Sequence, residues 1–491
     1  MTIADERIPA VARHAGHPLV IVGAGPAGLA GAAQAHARGI PVVVFESGPS
    51  AGSAVLEWGH VRLFSPWSEL IDPVAEKLLT ESGWTSPDPA SYPTGRDWVD
   101  RYLAPLAALL AQQPGVEVHD GHRVVGVARA GRDRLAAIGR DEVPFTVHVA
   151  TPGGRRSITA CAVIDASGTW GTPNPLGGDG YLADGEAEHA ENIIYGIPDL
   201  ADPAVAARYA GKHVAVAGRG ASAQNALVAL ASLADTQPGT RVTWLVRRGD
   251  TDKAFGGGDN DQLVARGALG KSARRAVEDG AVTTVTGFRT STVTSQDDDR
   301  LTVTSIDGQQ VSDVDEVIVV TGFRPDHSWL SEVHLDLDGE LSAPSALAPE
   351  IHPAYHSCGS VSPHGANLLR QPEGDLYLVG MKSYGRAPSF LTLTGYEQTR
   401  SVVAEIAGDY ASADRVELVL PDSGVCGGSG LFEEAPSAGG CCAPSVTTSV
   451  PTNVTTAPQQ LNVVAPVVAT IGAALPLVED EQATGQTGCC G

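Results

Sequence analysis

A few short stretches of this chain are apolar at every position. The clearest are LVIV at 19–22, VVVF at 42–45 and VAVA at 214–217. A strand with no polar side needs cover on both faces, as in a parallel sheet held between two layers. Between the first two runs lies GAGPAGLAGAAQAHARG, in which a glycine turn opens a helix and Gly39 is placed to stop it. The same strand, turn, helix and strand recur from Lys212 as KHVAVAGRGASAQNALVALASLA followed by RVTWLVRR. Two mononucleotide-binding units nested in one chain are predicted.

The β-branched runs GHRVVGVA, FTVHVA and ITACAVIDA predict further strands between 114 and 168, and VEVHDGHRVVGV predicts a strand, a short turn and a strand leading back to the first unit. VDEVIVVTGF at 314–323 reads as the last buried strand of the second unit. DLYLVG at 375–380 reads as a strand returning to the first, with a helix after it that includes PSFLTLTGYEQTRSVVAEIAG, and RVELVLP as a final strand. Beyond about residue 410 the periodicity fades into Ala, Gly, Pro, Ser, Thr and Val, the composition of a flexible tail. The expected fold is α/β, with two nested Rossmann-like dinucleotide-binding domains plus a flexible C-terminal tail. The first domain takes 18–175 and a return segment 331–425, the second takes 176–330, and the tail is 426–491.

Charge narrows the partners. A net charge of −24 disfavours nucleic acid and anionic membrane surfaces, which need clustered Lys and Arg. The N-terminus MTIADERIPAVARHAGH has no apolar run of the secretory kind, which points to the cytoplasm. The apolar stretch at 461–478 holds two prolines and an Asn and has an acidic flank, so no membrane span is expected there. A small-molecule substrate is the partner class that remains.

The glycine turns carry the chemistry. Gly23, Gly25 and Gly28 follow a buried strand and open a helix, and Glu46 ends the next strand. The first glycine permits the tight turn, the second lets a pyrophosphate approach the backbone, and the third lets helix and strand pack; the acid can accept both hydroxyls of an adenosine ribose. In the second turn Gly218, Gly220 and Ser222 stand in GRGASA, and the following strand ends in Arg247 and Arg248 instead of an acid. Guanidinium groups hold a ribose 2′-phosphate that a carboxylate would repel, so the expected cofactors are FAD in the first unit and NADPH in the second. The bland alternative for the arginines is a solvated pair at a strand end.

GAGPAG with Glu46, WGHVRLFSP at 58–66, DASGTWGTPNP at 165–175, GRGASA, TGFRPDHSWL at 321–330 and LYLVGMKSYG at 376–385 together resemble the flavin-containing monooxygenase-like proteins, including the bacterial branch related to thioredoxin reductase. The resemblance spans about residues 18–410. It implies that Trp58, His60, Arg62 and Ser65 lie on the flavin side, that Gly168 and Gly322 mark the linkers between the FAD and NADPH domains, and that Gly380 meets the flavin. It implies an NADPH-dependent monooxygenase in which the flavin carries the oxygen chemistry, so no catalytic triad is needed. The chain departs from the family at GEAEH, 185–189, with Ala183 where an aromatic belongs and Tyr195 two residues late.

The thiols shape the substrate expectation. Neither CxxC nor CxxxxC occurs, which disfavours a dithiol reductase, and five of seven cysteines fall in the last 66 residues. His352, His356, Cys358 and His364 gather zinc-type ligands, but their spacing matches no standard finger; a loop near the active site or a solvated loop is preferred, and no metal is assigned. The vicinal pairs Cys441–Cys442 and Cys489–Cys490 suit a soft ion. A flavoprotein body with such a tail is similar to flavin monooxygenases associated with arsenic-resistance operons, which makes trivalent arsenic, a thiophilic metalloid, the expected substrate and Cys358 and the tail pairs its candidate ligands. An organic N- or S-oxygenase, a thiol-linked flavin reductase and a metalloid-sequestering flavoprotein stay open.

Overall fold

The structure is a computed structural model, and it describes residues 8–418 apart from 137, 259, 260, 262, 296–299, 355–360 and 389. His356, Cys358, Cys441, Cys442, Cys489, Cys490, the stretch 461–478 and the tail of 426–491 lie outside the described residues. Among the described residues no helix is long and apolar enough to cross a membrane.

Two five-stranded parallel sheets organise the chain. The first runs in the order β16 (Leu376–Leu378), β7 (Ala162–Asp165), β1 (Leu19–Val22), β2 (Val42–Phe45), β3 (Val116–His119). The second runs β11 (Val282–Thr286), β10 (Arg241–Val246), β9 (His213–Ala217), β15 (Glu316–Val319), β8 (Ile193–Tyr195). The all-apolar runs are the central strands. Leu19 and Ile21 face one core, with the helices Pro26–Ala37 and Pro73–Glu81 contributing to it, while Val20 and Val22 face another. That second face is covered by a three-stranded antiparallel sheet, β4 (Arg123–Arg129), β5 (Phe145–Thr151) and β6 (Gly154–Ala160), through Val124, Val127, Phe145, Val147 and Val149. The same division repeats around β9. Val214 and Val216 join the helix Ala221–Thr236, whereas Ala215 and Ala217 join β12 (Thr290–Ser295), β13 (Leu301–Ser305) and β14 (Gln310–Val314). Burying each such Val or Leu is worth roughly 1.5–3 kcal/mol, so a charge at Val20 or Val216 would break the fold locally.

Two of the expected strands, ITACAVIDA and RVELVLP, are drawn differently, and the strand, turn and strand of VEVHDGHRVVGV are divided between two sheets. The two strands of VEVHDGHRVVGV do not pair with each other: β3 completes the parallel sheet beside β2, and β4 opens the antiparallel one. Their turn is held instead against the end of β2, where Gly121 N–H donates to the Gly48 carbonyl and His122 N–H to that of Glu46. ITACAVIDA breaks at Cys161 into β6 and β7, each in its own sheet. Arg415–Leu418, the described part of RVELVLP, holds no strand.

The return of the chain is pinned by ions. Glu373, just before β16, is fully buried between Arg129 of β4 at 2.9 Å and Arg140 at 2.9 Å. The helix Thr392–Ala407 then packs on the helix Pro26–Ala37.

Candidate functional site

Both sheets reverse their strand order beside the strand that feeds a glycine turn, between β1 and β7 and between β9 and β15. In open α/β sheets the crevice beyond the carboxyl ends at that point is where ligands bind. The glycines are needed because the neighbouring strand's exit passes so close. A Cβ on Gly23, whose φ is 100°, would lie 2.7 Å from the Ala166 carbonyl oxygen, and one on Gly218, φ 138°, 2.3 Å from that of Val320. A Cβ on Gly28 would reach 1.9 Å from the Gly23 oxygen. Gly25 and Gly220, by contrast, face open space, and each directly precedes a helix N-terminus at Pro26 or Ala221. That cradle, closed behind and open in front under N–H donors, fits a dinucleotide pyrophosphate in both turns.

At the first turn, Glu46 is held on the rim. Its carboxylate accepts from Ala24 N–H at 2.8 Å and from Gly48 N–H at 2.7 Å. Phe45, His119 and His122 stack beside it, with ring centres 5.5 and 6.2 Å from Phe45. Gly380, φ 66°, closes over the same turn: a Cβ there would come 3.0 Å from that of Ala27. The Gly380 N–H donates to Gln398 Oε1 at 2.7 Å, and Gln398 Nε2 donates to His364 Nε2 and Ser383 Oγ, both at 2.9 Å. His364 Nδ1 faces the Ser362 carbonyl at 3.0 Å, which can only accept, so the ring is the neutral Nδ1–H tautomer. Burial lowers its pKa and keeps it neutral. His364 is thus part of the support beneath Gly380. His352 pairs with Glu340 at 3.0 Å. Among the described residues no three His, Cys, Asp or Glu gather as metal ligands.

At the second turn a cleft of about 720 Å³ opens. Gly218, Gly220, Ser222, Arg247, Arg248, Gly322 and Trp58 all line it. Gly168 is not in its wall but takes φ 67° in the linker beside it. Of the segment 58–66, Trp58 packs against Gly95, where a Cβ would sit 2.8 Å from the indole. Arg62 donates to the Tyr92 carbonyl. His60 and Ser65 are half-buried and do not line this cleft, and His60 Nε2 is buried with no hydrogen bond among the described residues. The departure at 185–189 has a structural account: the buried Glu186 accepts from Leu176 N–H, Ala183 N–H and the Tyr195 hydroxyl, so the late tyrosine seals this loop.

Residues that sequence motifs do not assign tie the two turns together. The linkers run side by side through Pro173 and Phe323, with Asn174 N–H donating to the Gly322 carbonyl at 2.8 Å and Arg324 Nε to Asn174 Oδ1 at 3.0 Å. Trp170 packs on Phe323, ring centres 4.7 Å apart, and its indole N–H donates to Glu57 at 2.6 Å. The fully buried Lys382 ammonium meets both linkers, at 3.2 Å from Asp165 Oδ2, 3.0 Å from Ser167 Oγ and 2.6 Å from the Asp326 carbonyl. Trp170, Phe323 and Lys382 all stand inside the motifs quoted above, though none is singled out by them, and nothing local in the sequence marks Gln398.

Solved structures share this fold at low identity. The chain is similar to the bacillithiol disulfide reductase Bdr (YpdA) from Bacillus cereus, 20% identical, covering 80% of this chain and 99% of that one with a TM-score of 0.57. It is likewise similar to the enzyme of that name from Staphylococcus aureus, 16% identical over 81% and 99%, TM-score 0.54, and to the ornithine N-hydroxylase of Kutzneria sp. 744, 20% identical over 80% and 99%, TM-score 0.50. No curated protein sequence matches the chain. The family model described as pyridine nucleotide-disulphide oxidoreductase matches residues 20–346. The chain therefore belongs to the pyridine nucleotide-disulphide oxidoreductase family and is a flavoprotein enzyme that works with FAD and NAD(P)H.

Proposed function

We propose that this enzyme is an NADPH-dependent flavin monooxygenase acting on a soft nucleophile, with trivalent arsenic species as the substrates to test first. One observation removes the folded body's described thiol from disulfide exchange. Cys161, the one cysteine among the described residues, is fully buried between β6 and β7, and burial pushes its thiol up to about 12. A thiol that is neither ionised nor reachable cannot exchange with a disulfide. Bound FAD would supply electron transfer from NADPH and the activation of oxygen.

The chain's own residues would bind, orient and exclude water. Gly23, Gly25 and Gly28 would seat the FAD pyrophosphate and Glu46 the ribose, with Gly168 and Gly380 closing the flavin side. Gly218, Gly220 and Ser222 would seat the NADPH pyrophosphate, Arg247 and Arg248 the 2′-phosphate, and Gly322 the nicotinamide side of the cleft. In this assignment 18–175 and 331–425 form the FAD domain and 176–330 the NADPH domain. Trp58, with Trp170, Phe323 and Met381, gives the cleft an apolar wall that would keep water from the reacting atoms; His60, Arg62 and Ser65 are the remaining flavin-side candidates. Cys358 and the pairs Cys441–Cys442 and Cys489–Cys490 would hold or deliver the metalloid.

The test is steady-state NADPH consumption with oxygen uptake recorded, using arsenite, methylarsenite, an organic thioether and a disulfide in parallel. Substrate-stimulated NADPH oxidation matched by oxygen uptake with an arsenical is expected. Anaerobic NADPH oxidation driven by the disulfide would instead identify a thiol-linked reductase. Arsenite binding without stimulated turnover would identify a sequestering flavoprotein.

A further inference from the structure

The cleft inverts the charge of the molecule that contains it. The chain carries −24 overall, yet the described residues lining the cleft include no Asp or Glu, and their charged members are Arg219, Arg247, Arg248 and Arg386. Low-dielectric walls bearing one sign of charge concentrate ligands of the other. Three of these arginines belong to the second glycine turn and the end of β10, where a dinucleotide's phosphates would lie. Arg386 does not. It follows the Gly380–Tyr384 turn and lines the cleft with its neighbours Met381, Ala387 and Pro388, and its own backbone N–H is fixed on the Leu341 carbonyl at 2.7 Å. Its guanidinium is exposed and makes no hydrogen bond or ion pair among the described residues.

We propose that Arg386 is a substrate-recognition residue, and that the substrate is an organic anion carrying a carboxylate beside its soft nucleophilic atom, which selects the organic N- or S-oxygenase among the open alternatives over an arsenical. A guanidinium fork at the end of an apolar wall would take the carboxylate in two parallel charge-assisted bonds, and the Trp58 and Met381 surface would take the rest of the molecule. The choice of a soft nucleophile rests on the monooxygenase reading; the choice of an anion rests on the cleft alone.

The probes are (methylthio)acetate and its methyl ester, which share one thioether sulfur and differ in charge. Each is titrated into the oxidised holoenzyme without NADPH, following the fluorescence of the cleft tryptophans. The acid is expected to bind about ten-fold more tightly than the ester, the ratio falling to about one in Arg386→Gln, while the KM for NADPH stays within about two-fold. Equal affinities, a preference that survives Arg386→Gln, no binding of either probe, or a ten-fold rise in the NADPH KM of the variant would each overturn the assignment. Oxygen uptake that fails with every soft nucleophile would sink the monooxygenase reading and leave the acid-to-ester ratio standing.

Discussion

Single residues in this protein divide into those whose role is written locally and those whose role is not. Gly23 and Gly28 were legible because strand, turn and helix are consecutive, although only Gly28 is crowded from within the turn, by the Gly23 carbonyl, while Gly23 is crowded by Ala166 and Ser167 from far along the chain. Arg247 and Arg248 were legible for the same reason, as the residues that follow a strand where an acid is usual. If they select the cofactor, the double variant Arg247→Ala, Arg248→Ala should lose about ten- to a hundred-fold in kcat/KM for NADPH with little change for NADH, because a charge-assisted hold on the 2′-phosphate is worth about 1.5–3 kcal/mol in all. Steady-state kinetics with both nucleotides would measure it, and an unchanged ratio would refute it. Asp72 gives a prediction that the sequence hides. It caps the helix Pro73–Glu81 by accepting from Val74 and Ala75 N–H, and burial pushes its carboxyl up from 3.8 to about 6. A raised folded-state pKa means that its stabilising contribution is complete below the unfolded value of 3.8 and is lost as pH rises through about 6. Asp72→Asn, which keeps the cap acceptor and cannot ionise, should therefore gain about 2 kcal/mol on the parent between pH 4.5 and 7.5. Urea unfolding at the two pH values would read this, and parallel pH profiles would exclude it.

Between elements, the sequence announced the strands but not what crosses between them. ITACAVIDA looked continuous because both halves are buried and β-branched; only the sheets they join tell them apart. Lys382 was invisible for a related reason, since its partners Asp165, Ser167 and Asp326 lie far away in sequence and no periodicity links them. Removing it should be costly. Lys382→Met leaves the Asp165 carboxylate buried without its counter-ion, an expected loss of about 3–5 kcal/mol, and Asp165→Asn in the same chain should recover a substantial part of it. Denaturant midpoints of the two single variants and the double variant would show the coupling; additive losses would mean that the ammonium and the carboxylate do not act as a pair.

Across the whole molecule, net charge was informative about what the protein avoids and misleading about what its cleft attracts. The acidic total belongs to the surface, and the cationic cleft emerges only when residues 219, 247, 248 and 386 are brought together. The late return of the chain has a further consequence, in time. The second parallel sheet draws all five of its strands from residues 193–319, so it is complete as soon as that stretch has been synthesised. The first sheet is not: β7 lacks its outer neighbour, Arg129 lacks Glu373 and the helix Pro26–Ala37 lacks its cover until β16 and the helix Thr392–Ala407 arrive. Some 88 residues separate Val319 from Ala407, roughly 4–18 s of translation at about 5–20 residues per second. For that interval the ribosome carries a finished nucleotide fold inserted within an unfinished one, whose open strand edge at β7 is a template for pairing with other chains.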